Sequence, residues 1–236
     1  MKVDIIISAD DIEESKIKDK NIVVIDMLRA TTVITTALMN GCKEVIPYLT
    51  VDEALEKGSL LEQNSYVLGG ERRAVKIEGF DLCNSPLEYT KDVVNNKTVI
   101  ITTTNGTRTL TECTKGRRVF VGALINAKAV AAKLIDLADD VCIVNAGTNG
   151  EFSMDDFICS GYIISEMLKL SNKLDLTDIA KTANYIYENN KGIESFISNA
   201  RHYGVMKSLG LMEDVQYAMK KDITTIVPEY KDGCIL

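Results

Sequence analysis

Along the chain, short runs rich in Val and Ile alternate with stretches whose apolar residues stand three and four apart. The first kind reads as strand and the second as helix, because side chains repeat every two residues along a strand and about every 3.6 around a helix. VDIIIS (3–8) and NIVVID (21–26) predict strands, followed by a helix over 29–40. KEVIPY (43–48) predicts a strand, VDEALEKGSLLEQ (51–63) a helix with apolar positions 51, 54, 55, 60 and 61, and SYVLGG (65–70) another strand. A long polar loop spans 69–86. KTVIITTT (97–104) predicts a strand running into NGTRTLTEC, RRVFVG (117–122) a strand, NAKAVAAKLIDLA (126–138) a helix and DVCIVNAG (140–147) a strand. The pattern is helical from Ser153 to about Lys220, and DITTIVPEY (222–230) is expected as a last strand.

Continuous Val/Ile runs between helices imply strands buried on both sides, hence an α/β fold: a mostly parallel sheet covered by helices on both faces, with a helical C-terminal third. The 236 residues, 46% hydrophobic, suffice for one substantial core, and three Pro with no Ser/Gly-rich tract leave no obvious linker. One domain is expected over 1–236, in which residues 152–221 either cover one edge of the sheet or form a small helical lobe.

The net charge of −7 argues against a nucleic-acid partner, whose surface needs clustered Lys and Arg. The start, MKVDIIISADDIEE, lacks the basic and long apolar regions of a signal peptide, and no apolar run approaches the ~18 residues of a membrane span. A cytoplasmic protein acting on small molecules, with no membrane association, is expected. Six Cys without a CxxC pair read as reduced thiols.

In a parallel sheet the strand ends open on one edge, where ligands bind in α/β folds. Four of them carry the unusual residues: Asp26 with an exposed-looking Arg29, the loop GGERRAVKIEGFDLCNSP (69–86), TTTNGTR (102–108) and NAGTNGEFSMDD (145–156). Asp26 and Arg29 side by side suggest a cation and an anion handled together, as metal-assisted phosphate chemistry requires; the other reading is a capping Asp and a solvated Arg. Only seven of the 27 basic residues are Arg, and four of them (29, 72, 73 and 108) fall at these strand ends. Arg grips phosphate, carboxylate or sulfonate with two donors, so a polyanionic substrate is expected. Gly106 frees the N–H groups of Asn105 to Thr107 to face an anion, and Asn145 to Gly150 repeats that logic, although Asn-Gly is also ordinary turn chemistry. Asp81, Asn84 and Ser85 read as capping groups. Asp155 and Asp156 suit the first turn of a helix, and one of them remains a candidate metal ligand or acid/base beside Glu151.

A single His, His202, excludes His-rich zinc sites and is equally readable as a packing residue or a catalytic one. GxxxxGK[ST], GxGxxG and GxSxG are absent. Asp26-Met27-Leu28 resembles the start of the haloacid-dehalogenase motif, but Leu28 stands where a second Asp belongs.

Taken in order, VVIDMLRATT, LGGERRAVKIEGFDLCNSP, TTTNGTRTL and VNAGTNGEFSMDDFICSG resemble the 2-phosphosulfolactate phosphatase family, the magnesium-dependent phosphatase of coenzyme M biosynthesis. The resemblance covers nearly the whole chain; Cys83 departs from the small residue usual before the Asn of the NSP segment. It implies a layered α/β fold of its own and hydrolysis of (R)-2-phospho-3-sulfolactate to 3-sulfolactate and phosphate. On that basis Mg²⁺ is expected on Asp26 and Glu71, with Asp155 or Asp156 as further ligands, and Asp26, Arg29 and Glu71 form the catalytic set. Arg72 and Arg73 join Arg29 in neutralising phosphate and sulfonate, while Thr104, Asn105, Gly106 and Thr107, with Asn145, Gly147 and Thr148, hold the remaining oxygens. The alternatives are a phospho-Asp26 intermediate on another phosphorylated hydroxy acid, and a non-catalytic binder of small anions. A homodimer is expected.

Overall fold

The computed structural model describes residues 1–236. Eleven strands form one mixed sheet: β1 (Lys2–Ile6), β2 (Asn21–Ile25), β3 (Glu44–Pro47), β4 (Tyr66–Arg72), β5 (Val75–Lys76), β6 (Thr98–Thr102), β7 (Arg118–Gly122), β8 (Val141–Asn145), β9 (Asp175–Leu176), β10 (Glu229–Lys231) and β11 (Cys234–Ile235). The helices are α1 (Glu14–Ile17), α2 (Ala30–Met39), α3 (Val51–Ser59), α4 (Lys91–Val94), α5 (Gly106–Glu112), α6 (Ala127–Leu137), α7 (Met154–Leu170), α8 (Asp178–Asn189), α9 (Ile193–Ile197), α10 (Arg201–Ser208) and α11 (Met212–Ala218). The spatial order is β5-β4-β6-β3-β11-β10-β7-β2-β8-β1-β9. The fold is α/β, with a mostly parallel sheet flanked by helices, as the alternation of patterns predicts.

Two parallel blocks make up the sheet. In one, β4, β6 and β3 align Leu68 with Ile100 and Ile100 with Ile46. In the other, β7, β2, β8 and β1 place Ile25 between Gly122 and Asn145. The hairpin β10–β11 joins them, antiparallel to β7 on one side and to β3 on the other. Three successive antiparallel pairings reverse the polarity, so the two parallel blocks run in opposite senses, and on a flat sheet their carboxyl ends would lie at opposite edges. They meet instead, since a Cβ built on Gly106, just past β6, would stand 2.7 Å from Oδ2 of Asp26, just past β2. A right-handed twist of about 20–25° per strand, over the five steps from β6 to β2, turns the blocks through more than a right angle. The expectation of one shared edge in a single parallel sheet is therefore corrected: coiling brings the ends together.

The coil encloses a core. Ile22, Val24, Val121 and Val144 from one block face Val45, Val67, Val99 and Ile101 from the other, with Val33, Ile34 and Ala37 of α2 and Leu110 of α5 between them. The alternate residues Val23, Ile25, Phe120 and Ile143 point outward into a second core with α6, α7, α8 and the helices that follow. Ala54 of α3 and Phe80 cover Leu68 and Ile100 on the remaining face. Every residue of β2 is buried, which is why its apolar run is unbroken. At about 1.5–3 kcal/mol per fully buried aliphatic side chain, such central strands hold the layers together.

Three expectations change in detail. The 69–86 segment is not loop throughout: β4 continues to Arg72, turns at Arg73-Ala74 with both φ positive, and returns as β5. The strand expected over 222–230 shrinks to Glu229–Lys231, because Asp222 and Thr224 instead donate N–H bonds to Leu124 and Ile125, and it is followed by β11. The helical third is interrupted by β9, parallel to β1, and its helices lie against the face of the sheet in the outer core. The short helices α1 and α4 have no counterpart in the apolar pattern. No helix is long and apolar enough to cross a membrane.

Candidate active site

At the end of β2 the chain folds back on itself: the Thr31 N–H donates to the Asp26 carbonyl, and the Asp26 N–H donates to Thr31 Oγ1, both at 3.0 Å. The Thr-rich start of α2 thus satisfies the strand end without the Asp26 carboxylate, whose Oδ1 is 3.4 Å from the Ala30 N–H. A capping role is weakly met. The carboxyl is pushed up to about 6, chiefly by burial and further by Glu71 and Asp155, with His202 opposing.

The β4–β5 turn supplies the second acid. Glu71, 6% exposed, accepts the Thr104 N–H on Oε1 at 2.7 Å and the Ala74 N–H on Oε2 at 2.6 Å, tying the ends of β4 and β6 together. Arg73 lines the resulting cleft of about 220 Å³ together with Asp26, Arg29, Glu71, Asn84, Thr104, Asn105, Thr148 and His202. Arg72 does not line it: its guanidinium is spent on Leu49 O, Thr102 Oγ1 and the Glu71 carbonyl. Arg108 is half-exposed between Asp10 and Glu112, outside the cleft lining.

Of the donors expected around Gly106, the Thr104 N–H is taken by Glu71 and the Thr107 N–H by Thr103 Oγ1, which leaves Asn105 and Gly106. Gly106 is required by packing, for a Cβ there would also lie 2.5 Å from Ala30 Cβ. In the second Asn-Gly segment, Asn145 is buried and accepts from Ser160 Oγ at 2.6 Å. The Gly147 N–H donates to Asp156, and Thr148 and Asn149 line the cleft.

Asp156 accepts from the Met27 N–H at 2.8 Å and the Gly147 N–H at 3.0 Å, so it clamps the ends of β2 and β8. Burial, Asp155 and Asp26 push its carboxyl well above the usual range. Asp155, also buried, accepts from Ser153 Oγ and stands 3.4 Å from His202 Nδ1, close enough for an ion pair though not aligned as a hydrogen bond. Burial pulls the His202 pKa down, but Asp155 and Asp26 outweigh it and leave the imidazole above its ordinary value. His202 therefore enters the cleft from α10, 47 residues beyond Asp155, which no local pattern announces.

Arg29 is buried rather than exposed. Its Nη1 donates to Asp214 Oδ2 at 2.6 Å and its Nη2 to Ala74 O at 3.3 Å, while Ser85 Oγ donates to Asp214 Oδ1 at 2.6 Å. Asn84, 4% exposed, lines the cleft with its Oδ1 unpartnered. Asp81, in contrast, holds the Leu68 N–H, a structural bond.

The donor set fits a hard cation in one respect: two desolvated carboxylates, Asp26 and Glu71, repel each other within one cleft. No group of three or more His, Cys, Asp or Glu side chains is arranged as a cage. One or two carboxylates completed by water and substrate oxygens is the mode Mg²⁺ favours.

The chain matches the family described as 2-phosphosulpholactate phosphatase over residues 6–233. It is 62% identical over 233 residues to a "Probable 2-phosphosulfolactate phosphatase" of Clostridium botulinum (strain Eklund 17B), covering 99% of this chain and 98% of that one. A protein of the same name from Clostridium beijerinckii is 62% identical over 235 residues, covering 100% and 99%. One from Clostridium acetobutylicum is 56% identical over 236 residues, covering both chains completely. With near-complete coverage on each side and a cleft that pairs carboxylates with arginines, the chain belongs to the 2-phosphosulpholactate phosphatase family, a family of phosphoric monoester hydrolases.

Proposed function

We propose that this protein hydrolyses (R)-2-phospho-3-sulfolactate to 3-sulfolactate and phosphate with Mg²⁺, the phosphatase step of coenzyme M biosynthesis. The observation that carries the reading is the meeting of Asp26 and Glu71 with Arg29, Arg73 and His202 in one cleft. Asp26 and Glu71 hold the cation, which when bound supplies charge neutralisation at the phosphate oxygens. Arg29 and Arg73 bind the phosphate and sulfonate oxygens, Asn84 presents its amide to them, and the Asn105 and Gly106 N–H groups complete the cradle. Asp155, at Nδ1 of His202, holds the imidazole at the edge of the cleft that it lines. Water adds to phosphorus as the bond to the substrate's C2 oxygen breaks, and that oxygen takes the proton held on His202. Asp156, which does not line the cleft, contributes by fixing the loops through the Met27 and Gly147 N–H groups.

Phosphate release from the purified protein tests this. Turnover of 2-phosphosulfolactate that needs Mg²⁺ and stops on chelation is the expected result. Turnover of a carboxylate analogue alone would move the substrate while keeping the chemistry, and retained anion binding without any release would favour the binding-protein reading.

A further inference from the structure

The helices after α7 bring a buried acid to the site that the phosphatase reading leaves unused. Asp214 lies in the first turn of α11, its side chain 4% exposed, against an Arg29 side chain that is 2% exposed. Both of its oxygens are committed, Oδ2 to Arg29 Nη1 and Oδ1 to Ser85 Oγ, each at 2.6 Å. A buried ion pair adds little net stability over apolar residues of the same volume, so its presence beside a ligand cleft points to geometry. The guanidinium is a planar fork of five N–H donors. Asp214 and Ala74 O each engage one of its terminal nitrogens, Cys83 also stands against the guanidinium, and Arg29 lines the cleft with Asp26, Asn84 and Thr104.

We propose that Asp214 is the positioning residue for Arg29, holding the fork square to the cleft as an anion clamp with Ser85 as its own anchor. The proposal rests on the reading of Arg29 as an anion-binding group and concerns binding, so it is tested on inorganic phosphate by calorimetry, independently of turnover. Asp214→Asn keeps the shape but cannot accept from Arg29 and Ser85 together. Phosphate affinity is expected to fall about tenfold, with a matching rise in KM and a smaller change in kcat. In an Arg29→Ala background the same change should have no further effect on phosphate affinity. A purely structural Asp214 would lower thermal stability and leave phosphate affinity unaltered. Should Asp214→Asn fail to fold, Ser85→Ala removes one anchor without touching the charge and should weaken phosphate binding by about threefold. Unchanged affinity in the folded variant, a full additional loss in the Arg29→Ala background, or no phosphate binding by the native protein overturns the proposal. Phosphate binding that depends on Asp214 in a protein that releases no phosphate from the phosphoester defeats the hydrolase reading alone.

Discussion

Asp26 sits where its charge is costly, buried beside Glu71 and Asp155. Its carboxyl, pushed up to about 6, binds a proton more tightly folded than unfolded, so stability is present below about pH 4 and is lost as pH rises through 6. Asp26→Asn should therefore stabilise the metal-free protein above pH 6 by roughly 2–3 kcal/mol, a gain that vanishes near pH 4. Urea unfolding across this range checks it, and Mg²⁺ should stabilise the native protein while leaving Asp26→Asn unchanged. His202 is shifted in the same direction, but because its charged form is favoured. Its proton is held above the ordinary imidazole range by Asp155 and Asp26, so the alkaline fall in kcat/KM should follow its deprotonation. His202→Gln should cost on the order of 100-fold in kcat and remove that limb from the pH profile. A retained alkaline limb in the variant would exclude His202 as the proton donor. At this scale the sequence makes Asp26, Glu71 and Arg73 visible because each stands at a strand end or in a tight turn. It hides Asp214, which is 185 residues from the Arg29 it meets, and it misrepresents Arg29, whose burial depends on that distant partner.

Between elements, α5 approaches the end of β2 closely. Gly106→Ala would drive a methyl into Ala30 Cβ and Asp26 Oδ2, which forces α5 away from the carboxylate. A displacement near 1 Å costs on the order of 100-fold in rate, and overpacking costs about 1–3 kcal/mol. Native-like kinetics in Gly106→Ala would show that the cradle tolerates a looser α5. The hairpin β10–β11 has the other decisive role, because it is the only pairing between the two blocks. Ile235 is fully buried in the inner core, and Ile235→Ala should cost about 2–5 kcal/mol in urea unfolding. Periodicity reveals β2, β6, β8, α2 and α6, whose apolar runs are long enough to show a period. It does not reveal β5, β9 or β11, two-residue strands that exist only through distant partners.

Over the whole molecule, opposed parallel blocks coiled around α2 and α5 make one core from both halves of the sheet. Unfolding should accordingly be a single cooperative transition by fluorescence and circular dichroism, and two separated transitions would mean that the blocks are independent. The fold class and layers were legible because every long strand is buried on both faces; the coil was not, because polarity is inverted by three short antiparallel pairings near the C-terminus. The coil matters for function, since it brings Asp26 to Glu71 despite that inversion, and the hydrolase reading stands on their cooperation. The most direct test is phosphate release from 2-phosphosulfolactate in saturating Mg²⁺ by native protein beside Asp26→Asn. The account predicts turnover by the native protein and a loss of at least about 1,000-fold in a variant that remains folded. A variant that kept more than about a tenth of native activity would contradict it.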